Sequence, residues 1–112
     1  MKMTIVGHGF VGKAVDYGFS HPSVEKTIID PLYDKNLEDV TLQEDVTFVC
    51  VPTPYGAHGQ IDCSIVVDTV KKLLLRRSGI IVIKSTVTPD IVEKLAKRGG
   101  GSRVVYNPEF LR

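Results

Sequence analysis

Short apolar runs alternate along the chain with longer stretches in which apolar residues recur every three or four positions. The short runs predict buried strands, and the longer stretches predict amphipathic helices. The predicted strands cover residues 3–6, 26–30, 46–51, 80–83 and 103–106. A regular alternation of strand and helix is typical of an α/β protein with a parallel sheet.

The predicted helices have one apolar face each. The first follows the first strand, and its inward face consists of Val11, Ala14, Val15, Gly18 and Phe19. The second is capped by Asp62 or Ser64 and ends near Arg77, with Val66, Val70, Leu73 and Leu74 inward. In the third, Thr88 is the predicted N-cap and Pro89 the first helical residue. Its predicted inward residues are Ile91, Val92, Leu95 and Ala96.

Only 15 residues, 31–45, separate the second predicted strand from the third. A full crossover helix, a further strand and its return connection do not fit in that length. The prediction is a Rossmann-type parallel sheet of about five strands in the order 2-1-3-4-5, shortened after the second strand, with helices on both faces. The order reverses beside the first strand, which predicts a ligand crevice at the carboxyl ends of the strands.

Glycines follow the first predicted strand in the pattern G-x-G-x-x-G, and an acid ends the second strand. This spacing is typical of a dinucleotide-binding turn. Gly7 would allow the tight turn, Gly9 the close approach of a pyrophosphate, and Gly12 the close packing of the helix on the sheet. The pyrophosphate would lie at the helix N-terminus, and Asp30 is placed to bind ribose hydroxyls.

Composition and charge exclude several functional classes. The 112 residues are 43% hydrophobic and 24% charged, which is ordinary for one globular domain. A net charge of +1 gives no basic footprint for nucleic acid. No apolar run approaches the roughly 20 residues of a membrane span. Two cysteines without a spacing motif predict free thiols in the cytoplasm, and the histidines show no metal-ligand spacing.

Three further motifs follow later strands: V-P-T-P at 51–54, K-S-T-V at 84–87 and N-P-E-F-L-R at 107–112. All three are therefore expected at the carboxyl edge of the sheet. Together with G-H-G-F-V-G at 7–12, they resemble the N-terminal domain of the UDP-glucose/GDP-mannose dehydrogenase family. The resemblance covers the whole chain in order except residues 31–45, so residues 1–112 are interpreted as one NAD-binding Rossmann domain.

The resemblance implies roles for individual residues. The implied cofactor-binding residues are Gly7, Gly9, Phe10, Val11, Gly12, Asp30, Lys35, Thr53 and Thr86. The implied catalytic residues are Thr86, near the nicotinamide and an active-site water, and Glu109, an acid/base group. The implied substrate-binding residues, where a sugar nucleotide would meet the chain, are Glu109, Phe110, Leu111 and Arg112.

Simpler interpretations of these residues stay open. Asp30 could be a turn acid before Pro31, and Lys35 a solvated side chain. Thr53 and Thr86 could end their strands by bonding the following turn. Glu109 could be a solvated carboxylate.

The charge of Asp30 favours NAD over NADP. A carboxylate accepts the ribose hydroxyls of NAD but repels the 2′-phosphate of NADP, and like charges at about 4 Å cost on the order of 1–4 kcal/mol. The nearby base is Lys35, and one lysine does not build a phosphate pocket. NAD is therefore the predicted cofactor.

The family reaction oxidises a sugar C6 alcohol twice, as in the conversion of UDP-glucose to UDP-glucuronate, through a cysteine in a G-x-x-C-F-x-K-D stretch. Neither Cys50 nor Cys63 lies in such a stretch. The chain alone is therefore predicted to be inactive. Two hypotheses follow: the NAD-binding part of a nucleotide-sugar dehydrogenase, or a stand-alone, non-catalytic NAD-binding module or degenerate remnant. An exposed sheet edge and an uncovered apolar patch are expected to favour weak self-association.

Overall fold

The computed structural model describes residues 1–30, 45–54, 59, 61–75, 79–98 and 103–108. Five strands are found there: β1 (Lys2–Val6), β2 (Glu25–Ile29), β3 (Val46–Val49), β4 (Ile80–Ile83) and β5 (Val104–Tyr106). Three helices join them: α1 (Phe10–Gly18) between β1 and β2, α2 (Ser64–Leu74) between β3 and β4, and α3 (Pro89–Ala96) between β4 and β5.

The five strands form one parallel sheet in the order β2-β1-β3-β4-β5. This confirms the predicted order and places the reversal between β1 and β3. The first strand of the chain lies inside the sheet: Thr4 pairs with Thr27 on one side and with Thr47 on the other. The predicted shortened connection between β2 and β3 lies almost entirely outside the described residues.

Helices pack on both faces of the sheet, as predicted. One face carries α2 and α3, and its core includes Val49, Val70, Ile81, Ile83 and Leu95. The other face carries α1, and its core is formed by Met3, Ile5, Val15 and Cys50. Alternate residues of one strand point to opposite faces, so β3 contributes Val49 to the first core and Val46 and Phe48 to the second. In the described part of the chain, no helix has the length and apolar character to cross a membrane.

The predicted inward faces of two helices are partly wrong. Ala14 and Gly18 of α1 are exposed, because this nine-residue helix packs on the sheet through Val11 and Val15. Phe19 is 39% exposed, and its ring centroid lies 5.6 Å from that of Phe48. Ala96, the last residue of α3, is also exposed, and only Leu95 of that helix is fully buried.

The ends of the elements differ slightly from the prediction. Strand β3 ends at Val49 rather than at residue 51, and α2 ends at Leu74, while residues 76–78 lie outside the described set. The predicted cap of α2, Asp62 or Ser64, is wrong: the N-cap is Cys63, because Ser64 is already helical. Asp62 accepts a hydrogen bond of 2.9 Å from the N–H of Ser64. The start of α3 is as predicted, with Thr88 as N-cap and Pro89 first.

Candidate functional site

The turn after β1 requires glycine at Gly7 for two reasons. Its φ of +92° lies in the left-handed region that L side chains rarely adopt. A Cβ at this position would also lie 2.7 Å from the carbonyl oxygen of Cys50, on the neighbouring strand end. The N–H of Gly7 donates to the carbonyl of Ile29, at 2.8 Å, so the turn is tied to β2 as well as pressed against β3.

The other two glycines of the turn have opposite surroundings. A Cβ on Gly12 would overlap the carbonyl oxygen of Gly7, because α1 lies directly against the turn. A Cβ on Gly9 would meet no atom within 4 Å. Gly12 thus provides the close packing of the helix, whereas the backbone at Gly9 faces open space. A pyrophosphate approaching the N-terminus of α1 fits this arrangement.

Asp30 lies at the end of β2 and contacts the glycine turn. Its Oδ2 accepts a hydrogen bond of 2.7 Å from the backbone N–H of His8, which stands between Gly7 and Gly9. The carboxylate is therefore fixed beside the turn. In that position it can accept hydrogen bonds from a ribose whose phosphates lie over the helix N-terminus.

Three polar side chains, those of His8, Asp16 and Lys26, link the same turn to α1 and β2. Nε2 of His8 lies 2.9 Å from Oδ2 of Asp16 on α1, and Nζ of Lys26 on β2 lies 2.5 Å from Oδ1 of the same carboxylate. Nζ of Lys26 also donates to the carbonyl of Asp16 at 3.0 Å. The hydrogen bond from Lys26 is the main reason that the pKa of Asp16 lies below its usual value. The network joins the turn, the helix and the strand.

A cleft of about 450 Å³ opens at the carboxyl edge of the sheet, where the strand order reverses. Six residues predicted for the cofactor site line it: Gly7, Gly9, Val11, Asp30, Thr53 and Thr86. They come from the ends of β1, β2, β3 and β4 and from the first turn of α1. The cleft therefore brings together the predicted residues of the turn with both threonines.

Five more residues line the cleft without having been assigned a role from the sequence: Cys50, Val51, Pro52, Lys84 and Ser85. Four of them lie inside the V-P-T-P and K-S-T-V motifs, and Cys50 directly precedes the first motif, so their position at the end of a strand was the available indication. Lys84 is only 6% exposed, and nothing in the sequence indicated that this lysine is buried. Burial raises the pKa of the Cys50 thiol to about 12, with Lys84 acting in the opposite direction. The thiolate, which is the nucleophilic form, is thus disfavoured at Cys50.

Two hydrogen-bonded side chains hold the loop that carries Thr86. Oγ of Ser85 donates to the carbonyl of Val51 at 2.7 Å and approaches that of Val49 at 3.3 Å. The hydroxyl of Tyr106 lies 3.3 Å from the N–H of Val87, from which it accepts, and 3.1 Å from the carbonyl of the same residue, to which it donates. The loop after β4 is therefore fixed to β3 on one side and to β5 on the other.

The remaining predicted site residues fall into two groups. Gly12 is packed behind the turn rather than in the cleft, and Phe10 is the first residue of α1. The others lie outside the described residues: Lys35, Glu109, Phe110, Leu111 and Arg112. Their roles, and the binding roles of the residues in the cleft, stay predictions.

Known proteins resemble this chain in sequence. Residues 32–112 match the sequence profile of one family, which is described as "UDP-glucose/GDP-mannose dehydrogenase family, NAD binding domain". UDP-glucose 6-dehydrogenase of Rickettsia bellii is 28% identical over 151 aligned positions, which include the whole of this chain and 35% of the relative. The chain thus spans about a third of the length of the curated relatives it matches.

Solved structures show the same fold. A ternary complex of GDP-mannose dehydrogenase from Pseudomonas aeruginosa superposes with a TM-score of 0.70 at 19% identity, covering 100% of this chain and 37% of that one. NDP-N-acetyl-D-galactosaminuronic acid dehydrogenase from Methanosarcina mazei gives a TM-score of 0.73 at 15% identity, covering 99% and 35%. The family profile matches most of the chain, and the glycine turn, the acid and the cleft are arranged for a dinucleotide. The chain therefore belongs to the UDP-glucose/GDP-mannose dehydrogenase family and carries its NAD-binding domain.

Proposed function

We propose that residues 1–112 form the NAD-binding domain of a nucleotide-sugar 6-dehydrogenase of the UDP-glucose to UDP-glucuronate type. The observation that carries this proposal is the cleft that joins the glycine turn, Asp30, Thr53 and Thr86 in one continuous surface. Relatives whose names state UDP-glucose 6-dehydrogenase activity support the choice of substrate class.

The adenosine half of NAD would bind on the β2 side of the cleft. Asp30 would accept hydrogen bonds from the ribose hydroxyls, and the pyrophosphate would lie over Gly9 at the start of α1. The open space above Gly9 and the fixed carboxylate of Asp30 support this placement.

The nicotinamide half would then lie on the other side of the reversal, near Thr53 and Thr86. The ends of β2 and β4 are three strand positions apart, or about 14 Å, so an extended dinucleotide is required to reach both. When bound, NAD would accept the hydride from the sugar alcohol. Thr86 would organise a water at the reacting centre, and Glu109 would provide acid/base chemistry, with residues 110–112 at the sugar nucleotide.

Isothermal titration of the chain with NAD, NADP and ADP-ribose tests the binding proposal. We expect NAD and ADP-ribose to bind with micromolar to millimolar dissociation constants and NADP to bind more weakly. Binding of none of the three would contradict the proposal. Equal affinity for NAD and NADP would contradict the role given to Asp30.

The catalytic part of the proposal needs a separate test. We expect no NADH from UDP-glucose and NAD with this chain alone, because none of its 112 residues lies in the family's cysteine stretch. Adding the catalytic half of a relative should restore NADH production if the cleft is functional. Turnover by the chain alone would show that another group replaces the cysteine.

A stand-alone, non-catalytic NAD-binding module is the second candidate. One observation favours it. The alignment with the Rickettsia bellii relative has 151 positions but contains only the 112 residues of this chain, so the relative carries internal insertions that this chain does not have. Such a module would bind NAD but give no NADH even with a catalytic half supplied. The same assay therefore separates the two candidates.

A further inference from the structure

The hydroxyl of Tyr106 bonds both polar groups of one peptide residue. It accepts from the N–H of Val87 at 3.3 Å and donates to the carbonyl of Val87 at 3.1 Å. Val87 is 4% exposed, so the loss of these contacts would leave buried backbone groups to be satisfied in another way. Tyr106 itself lies on the edge strand β5, and its ring packs against the larger core.

This contact acts on the residue directly after Thr86. On the other side of Thr86, Ser85 is held by its hydrogen bond to the carbonyl of Val51. Thr86 lines the cleft, whereas neither Val87 nor Tyr106 does. Ser85 and Thr86 of the segment 85–87 both line the cleft, and Thr86 stands between two neighbours that are fixed to different strands.

We propose that Tyr106 is a positioning residue of the cofactor site, whose hydroxyl fixes the Thr86 loop in the conformation that receives the nicotinamide. This inference rests on the proposed NAD-binding function. Tyr106 would touch neither cofactor nor substrate. It acts through the backbone of Val87, and its effect is confined to the nicotinamide half of the cleft.

The variant Tyr106→Phe keeps the ring in the core and removes only the hydroxyl. We expect its affinity for NAD and NADH to fall by about threefold to tenfold, the range that one or two lost hydrogen bonds give. Its affinity for ADP-ribose, which lacks the nicotinamide, should equal that of the wild type. Isothermal titration of the full chain with the three ligands measures the difference.

Two control variants separate positioning from general destabilisation. Thr69→Val removes a buried hydroxyl that donates to the carbonyl of Ile65 at 2.7 Å, on α2 and away from the cleft. Val70→Ala removes buried methyl groups from the same helix and lowers stability. Neither should change the ratio of NAD to ADP-ribose affinity, whatever it does to the melting temperature.

The outcomes are distinguishable. If the wild type binds neither NAD nor ADP-ribose, the proposed function fails and the inference fails with it. If the wild type binds both and Tyr106→Phe leaves their ratio unchanged, the proposed function stands and the inference is overturned. If the variant does not fold, hydrogen exchange at the Val87 amide of the wild type tests the inference instead. We expect this amide to be strongly protected. Exchange at the rate of an unprotected amide would overturn the inference.

Discussion

The backbone N–H of His8 donates a hydrogen bond of 2.7 Å to the Asp30 carboxylate, although the two residues are 22 positions apart. The acid that is proposed to bind the ribose therefore also holds the glycine turn. Deleting its side chain would disturb the cofactor site in two ways at once, and only a substitution that preserves the acceptor separates charge from geometry.

Asp30→Asn is that substitution, because asparagine keeps an oxygen that can accept from His8 and loses the negative charge. We expect the ratio of NADP to NAD affinity to rise by about tenfold or more, since repulsion of the 2′-phosphate disappears. Titration with the two cofactors measures it. Asp30→Ala is the matched control and should weaken both cofactors and lower the melting temperature. An unchanged ratio in Asp30→Asn would show that the carboxylate does not choose the cofactor.

Alanine at Gly9 and at Gly12 should have opposite effects. A methyl group at residue 9 meets no protein atom, so Gly9→Ala should fold with near wild-type stability and lose NAD affinity, because the methyl occupies the path of the pyrophosphate. A methyl group at residue 12 overlaps Gly7, so Gly12→Ala should lose about 1–3 kcal/mol of unfolding free energy or more. Thermal unfolding and NAD titration of both variants check this. A stable Gly9→Ala that binds NAD normally would place the pyrophosphate elsewhere.

The buried hydroxyls of Thr4 and Thr47 have no hydrogen-bond partner within the described ranges, and the two residues are register partners on β1 and β3. Thr47 is 0% exposed. Thr47→Val replaces the hydroxyl by a methyl group of similar size and should raise the unfolding free energy by about 1–2 kcal/mol. Denaturant unfolding measures the change. Thr69→Val is the control: it removes a bonded hydroxyl and should not stabilise the protein. A loss of stability in Thr47→Val would mean that the Thr47 hydroxyl is hydrogen-bonded in solution.

The low pKa of Asp16 predicts a loss of stability in acid. Its folded-state pKa lies below the usual 3.8, chiefly because of the hydrogen bond from Lys26, so the unfolded chain binds more protons near that pH. The stabilisation is complete well above pH 3.8 and is lost as the pH falls through the folded pKa. The free energies of unfolding of the wild type and Asp16→Asn should differ at pH 7, and the difference should shrink as the pH falls below 3.8 and through the folded pKa. Asp68→Asn, which alters an exposed pair with Lys72, should show little difference at either pH.

The sequence predicted the sheet order because each strand is a short apolar run and the 15 residues after the second strand limit the crossover. It predicted Gly7 and Gly12 because their roles follow from local backbone geometry. It could not predict that Ala14 is exposed, since helical periodicity alone does not say how wide a strip of a short helix touches the sheet. The bond between Asp30 and His8 depends on the docking of β2 against the turn, which no local pattern encodes.

Strand β1 is hydrogen-bonded on one side to β2 and on the other to β3, and both follow it in the chain. Strand β1 is therefore synthesised before both of its partners and cannot be paired on both edges until residue 49 is available. Up to that point the apolar residues of β1 cannot be buried between β2 and β3. Pairing of strands that are far apart in the sequence slows folding. The cleft is consequently assembled in stages: its β1 wall precedes its β2 and β3 walls in the chain, and the wall after β4, which carries Thr86, comes only in the second half of the 112 residues.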